Sequence, residues 1–133
     1  MGWQKPSPRH YTPLTLMSNN IKISTFEAKE HIVLLTIRGS LDTVAAYHLQ
    51  ERVEALVNAG HYKFLVNLQE LEQISSAGVG LFSAIILDLE RHHGKVVFLN
   101  ISEQVYEILQ MTHLIEIFTI ARSQEEAIAL LDM

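Results

Sequence analysis

The chain has 133 residues, of which 48% are apolar and 19% charged; it carries a formal charge of −5 and no cysteine. That length supports one domain with a sizeable core and excludes a multidomain enzyme, and the composition excludes a disordered chain. The acidic balance, without any run of Lys or Arg, disfavours nucleic acid and anionic membrane as partners, and the lack of cysteine rules out disulfides and thiolate chemistry.

Residues 1–20 hold all three prolines and no sustained periodicity, and are expected to form a flexible extension. They contain no continuous apolar segment of the signal-peptide kind, and Val79 to Leu87, the longest apolar stretch, is too short to span a membrane. A cytoplasmic protein without membrane insertion is the expectation. From Ile21 onward, strand-like and helix-like segments alternate, the pattern of a single α/β domain over residues 21–133. "IKISTFEA" and "HIVLLTIRG" are β-branched runs around the polar pair Lys29-Glu30 and predict a hairpin. Either Asp42 or Thr43 can cap a helix whose apolar residues Ala45, Leu49, Val53, Leu56 and Val57 recur at helical spacing until Gly60.

"YKFLVNL" (62–68) predicts a central strand covered on both faces, and "QISSAGVGLF" (73–82) opens a second helix that runs to about His92. On this helix Val79, Phe82, Ile85, Ile86 and Leu89 form the expected core stripe. "GKVVFLN" is a further buried strand, Ser102 caps a helix to about Met111, and "IEIFTI" (115–120) is expected as the last strand. "SQEE", with Ser123 and Glu126 spaced as a capping box, starts the final helix. The predicted order is ββαβαβαβα.

Of the chemical candidates, His92-His93 point about 100° apart on a helix and make a poor metal pair; they fit a polar helix end better. "GVG" at 78–80 lacks the Lys-Ser/Thr of a Walker loop and the third glycine of a dinucleotide fingerprint. Neither Ser75 nor Ser76 has the glycine two residues earlier that a nucleophile elbow requires. No catalytic residue, metal site or cofactor is therefore assigned. Two serines remain at a helix start. One can cap it, and the other falls in the first turn, where the macrodipole tolerates an added phosphate. Use of this helix start as an anion site for a small ligand or nucleotide stays open as an alternative.

"VNLQELEQISSAGVGLF" resembles the signature of STAS domains, the family of bacterial anti-sigma factor antagonists. "IRGSLDT" (37–43) is similar to the family's strand-turn segment ending in Leu-Asp, and "ILQMTHLIEIF" (108–118) to its helix, "MTxL" turn and last strand. The resemblance runs from about Ile21 to Leu131. It implies a mixed, mainly parallel sheet flanked by helices, with a phosphorylatable serine at a helix start. Anchored on Gly78, the family pattern makes Ser76 the phosphorylated residue, with Ser75, the alternative site, standing where the family usually has Asp.

Asp42 matches the acidic residue beside that serine and can equally be a plain N-cap. The resemblance further implies a non-enzymatic partner switch that regulates transcription. The unmodified protein binds an anti-sigma factor that is itself a serine kinase; phosphorylation, with ATP and Mg²⁺ on the kinase, abolishes docking, and a PP2C-type serine phosphatase restores it. Val79 and Leu87, near the edges of the apolar stripe, are candidates for the docking surface. The alternative within the family is a non-switching interaction module of a signalling scaffold or transport complex.

Overall fold

The computed structural model describes the backbone of residues 21–25 and the whole of residues 32–132. Its elements are β1 (Ile21–Thr25), β2 (Ile32–Leu41), α1 (Thr43–Asn58), β3 (Lys63–Ile74), α2 (Ser76–Arg91), β4 (Lys95–Leu99), α3 (Glu103–Met111), a 3-10 turn (Leu114–Ile117), β5 (Ile120–Ala121) and α4 (Gln124–Leu131). The strands form one sheet in the order β1-β2-β3-β4-β5. β1 runs antiparallel to β2, and the other three pairings are parallel. This is the mixed, mainly parallel α/β architecture expected from the chain. The predicted extension (1–20) and the Lys29-Glu30 turn lie outside the described residues.

Strand alternation decides which helices cover which face. Val33, Leu35 and Ile37 of β2, Phe64, Val66 and Leu68 of β3, and Val96 and Phe98 of β4 project into one core with α1, α2 and α3. Ile32, Leu65, Val97 and Leu99 project the other way and meet Ala127 and Leu131 of α4. β3 and β4 are thus apolar on both faces, which is why they read as continuous hydrophobic runs.

Two expectations are corrected. β3 does not end at Leu68 but continues to Ile74. Its pairing with β2 slips twice, between Thr36 and Arg38 and between Gly39 and Ser40, so β3 takes up one extra residue at each place. These bulges spoil the period-2 pattern across "QELEQ", and so the strand is not visible there as alternation. The last strand is also not 115–120. Residues Leu114–Ile117 coil into a 3-10 turn, and only Ile120–Ala121 pair with β4, opposite Phe98 and Leu99. Here the Thr112 hydroxyl donates to the Ile108 carbonyl at 3.0 Å, and His113 takes the left-handed conformation (φ 63°). The coil carries Phe118 onto the Phe98 ring, stacked at 3.8 Å between centroids, an apolar contact that a straight strand here would forgo.

Candidate functional site

The site is built where two neighbouring strands stop. Leu41 ends β2 and Ile74 ends β3, and the two are register partners. Each strand turns directly into a helix, so the N-termini of α1 and α2 emerge at the same end of the sheet. Asp42 is the N-cap of α1: its Oδ1 accepts from the Ala45 amide at 2.8 Å. Ser75 is the N-cap of α2: its Oγ accepts from the Gly78 amide at 3.2 Å and donates to the Leu41 carbonyl at 2.9 Å. The Ser75 amide donates to that same carbonyl at 3.0 Å. Ser75 therefore ties the start of α2 to the end of β2, and so to the residue before Asp42.

Ser76, the first residue of α2, is exposed, and its hydroxyl takes no part in the cap that Ser75 supplies. It lies at the positive end of the α2 dipole, equivalent to roughly half a charge, beside the start of α1. Gly78 lies beneath it and is buried. A Cβ there would come within 2.7 Å of Ile74 Cγ1 and 2.9 Å of Leu41 Cδ2, so the absence of a side chain is what lets α2 settle against the two strand ends. Gly80 differs: it is exposed, and a Cβ would meet nothing within 4 Å.

The structure thus brings Asp42, Ser75, Ser76 and Gly78 together. It separates the two apolar candidates. Val79 is half-buried and packs against the main core, whereas Leu87 is 50% exposed. Leu87 follows Ser76 by eleven residues, an offset of about 20° around the helix and about 16 Å along it, so both lie on one outer stripe of α2. The core stripe also includes Leu81, which spacing alone did not place there. Val44 and Tyr47, 65% and 62% exposed on the opening turns of α1, are apolar surface at the same end of the sheet. Their signal in the sequence was present but unreadable: apolar residues beside Ala45 and Ala46 look like core until the buried face of α1 is known.

His92 caps the end of α2, with its ring stacked on Tyr62 at 5.0 Å and Nδ1 3.0 Å from the Asp88 carbonyl oxygen. Among the described residues, no group of three His, Asp or Glu side chains is placed to share a metal ion, and no helix is long and apolar enough to cross a membrane.

An open mixed sheet whose two central strands each feed a capped helix at one shared end defines a class of small α/β domain. The STAS domain model matches residues 24–127, and the chain belongs to that family. BtrV of Bordetella bronchiseptica, named as an anti-sigma factor antagonist, is 25% identical over 105 residues, covering 79% of this chain and 90% of that protein. The anti-sigma-B factor antagonist of Listeria monocytogenes is 22% identical over 107 residues, 80% of this chain and 94% of the other. Among solved structures, the anti-sigma factor antagonist SpoIIAA in its unphosphorylated form superposes with a TM-score of 0.73 at 24% identity, over 84% of this chain and 96% of that one. The phosphorylated form of the Bacillus cell fate determinant SpoIIAA gives 0.66 at 24% identity, over 82% and 96%. These superpositions establish the common fold.

Proposed function

We propose that the protein is an anti-sigma factor antagonist that works by partner switching, with Ser76 as its phosphorylation site and residues 21–133 as the working unit. The names of the curated relatives support the antagonist role. The observation that carries the choice of residue is the division of labour between adjacent serines. The Ser75 hydroxyl is half-buried and held by both Gly78 and Leu41, while that of Ser76 faces solvent at the helix start.

In this reading the unmodified end face docks on an anti-sigma factor that is also a serine kinase. Asp42, the outer stripe of α2 with Leu87, and Val44 and Tyr47 of α1 contribute to the contact; Val79 supports the face from beneath. A phosphate on Ser76 adds a charge of about −1.5 to −2. On the free protein the helix dipole favours that charge, so the fold is not disturbed. In a complex it must be stripped of water beside the Asp42 carboxylate, and that cost releases the partner. A PP2C-type phosphatase reverses the step. The protein is a substrate and switch, not an enzyme, and acts on transcription in the cytoplasm through its partner.

The test is incubation of the protein and Ser76→Ala with the cognate kinase, ATP and Mg²⁺, followed by mass spectrometry of the peptides. One phosphate on Ser76 and none on the variant is expected. Equal labelling of both, or modification of Ser75 alone, rules the assignment out.

A further inference from the structure

Ser76, Gly80, Ser83, Ala84, Leu87 and Arg91 fall within about 100° of one another around α2 and make its outer stripe. All are exposed except Ser83, which is half-buried. Beside the stripe, between α1 and α2, lies an open groove of about 300 Å³ whose apolar lining includes Leu81 and Ile85 of α2 and Val53 of α1. We infer that this face of α2 takes a second copy of the chain, packed antiparallel about a two-fold axis, and that Arg91 of each copy receives the phosphate on Ser76 of the other.

Spacing along the helix is the first argument. Ser76 and Arg91 have their midpoint between Ser83 and Ala84, and Gly80 and Leu87 have the same midpoint. A two-fold axis through that point sets Leu87 of one copy over Gly80 of the other, and Arg91 over Ser76, each twice. The groove, lined by Leu81 and Ala84 next to Gly80, is open to the incoming Leu87 side chain, which is 50% exposed in the single chain. Ser83 and Ala84 at the crossing point are small, so the two helices can approach closely.

Charge is the second argument. The Arg91 side chain is 75% exposed, and its pairing with Asp88 at 3.6 Å is a surface contact of little strength. A guanidinium binds phosphate through two parallel hydrogen bonds, so a phosphoserine displaces that carboxylate. Magnitudes set when the copies pair. One helix from each copy makes a small interface beside the about 1,200–2,000 Å² of stable complexes, and two chains of −5 repel, so the unmodified dimer is weak. A phosphate of about −1.5 to −2 acts on Arg91 at contact distance, whereas charges spread over the two bodies are largely screened beyond about 8 Å. The two reciprocal pairs therefore prevail. The phosphate dependence rests on the proposed modification of Ser76 and extends it: once modified, the protein buries Leu87 in its own dimer and withholds the outer stripe from the anti-sigma kinase.

The test installs phosphoserine at position 76 of the full-length chain during synthesis, by codon expansion. No kinase is present, so failure here is separate from failure of the phosphorylation test. Sedimentation equilibrium should give a dimer dissociation constant at least about tenfold lower for the phosphoserine protein than for the unmodified one. Arg91→Glu should remove that gain, Arg91→Lys should keep part of it, and Leu87→Asp should leave both forms monomeric, with circular dichroism confirming the fold. The chain has no cysteine, so Ala84→Cys places a single thiol next to the axis, and mild oxidation of the phosphoserine protein should link two copies through it. Equal association of the modified and unmodified forms overturns the inference. So does a gain that Arg91→Glu or Leu87→Asp retains, or a dimer that Ala84→Cys fails to cross-link.

Discussion

Leu41 and Ser75, thirty-four residues apart, are joined twice: one carbonyl oxygen accepts from both the amide and the hydroxyl of the serine. The hydroxyl also caps α2, so it acts as donor and acceptor at once. An ionised carboxylate in this position could accept from Gly78 but has no proton for Leu41. Ser75 therefore makes a bond to Leu41 that a carboxylate in its place could not make. Ser75→Ala should lower stability by about 1–2 kcal/mol, while Ser75→Thr, which keeps donor and acceptor, should stay within about 0.5 kcal/mol of the parent in urea denaturation.

The two glycines of "GVG" should respond in opposite directions. Gly78→Ala forces a methyl group against Ile74 and the buried Leu41 and should cost about 1–3 kcal/mol. Gly80→Ala has open space and a helical backbone and should stabilise by about 0.5–1 kcal/mol. Thermal unfolding of the pair decides it; a loss of stability at both positions would show that α2 is packed differently.

Asp42 has a capping role in the structure and a proposed role beside the phosphosite. Asp42→Asn keeps an oxygen for the Ala45 amide and should leave stability nearly unchanged, whereas Asp42→Ala should cost about 1 kcal/mol. The functional role is read from the kinase reaction. Slower phosphorylation of Asp42→Asn, with its melting temperature intact, is the expected result; an unaltered rate would reduce Asp42 to a cap.

Ser76→Asp places a single negative charge at an exposed helix start and should not lower the melting temperature. Calorimetry should show at least a tenfold weaker affinity for the anti-sigma kinase, about 1.4 kcal/mol. Unchanged affinity would refute release by charge.

Leu87 and Val79 separate surface from core. Leu87→Ala should weaken partner binding with a stability change within about 0.5 kcal/mol, and Val79→Ala should chiefly destabilise, because its side chain packs on the core. Reversal of that pattern would move the docking face to the other side of α2.

Much of the fold was legible in the chain because burial on two faces leaves a mark. The runs around Phe64 to Leu68 and Val96 to Leu99 had to be strands between helices. The caps Ser102 and Ser123 were equally local: each hydroxyl bonds an amide three residues on, at 3.2 Å and 3.1 Å. The 3-10 turn at Leu114 was not legible, since its cause is the stacking of Phe118 on Phe98, twenty residues away in sequence. Nor was the full length of β3, whose end is set by slips against β2.

The same division runs through the candidate site. "QISSAGVGLF" by itself determined a helix start with one serine for the cap and one left over, because the spacing of Ser75 and Gly78 is a local property of the backbone. Which neighbours that start acquired was decided only by tertiary structure. Parallel pairing of Leu41 with Ile74 sets two helix N-termini side by side, buries Gly78 against both strand ends and turns Ser76 outward. Those relations depend on hydrogen bonds and packing between segments more than thirty residues apart, and no local pattern encodes them.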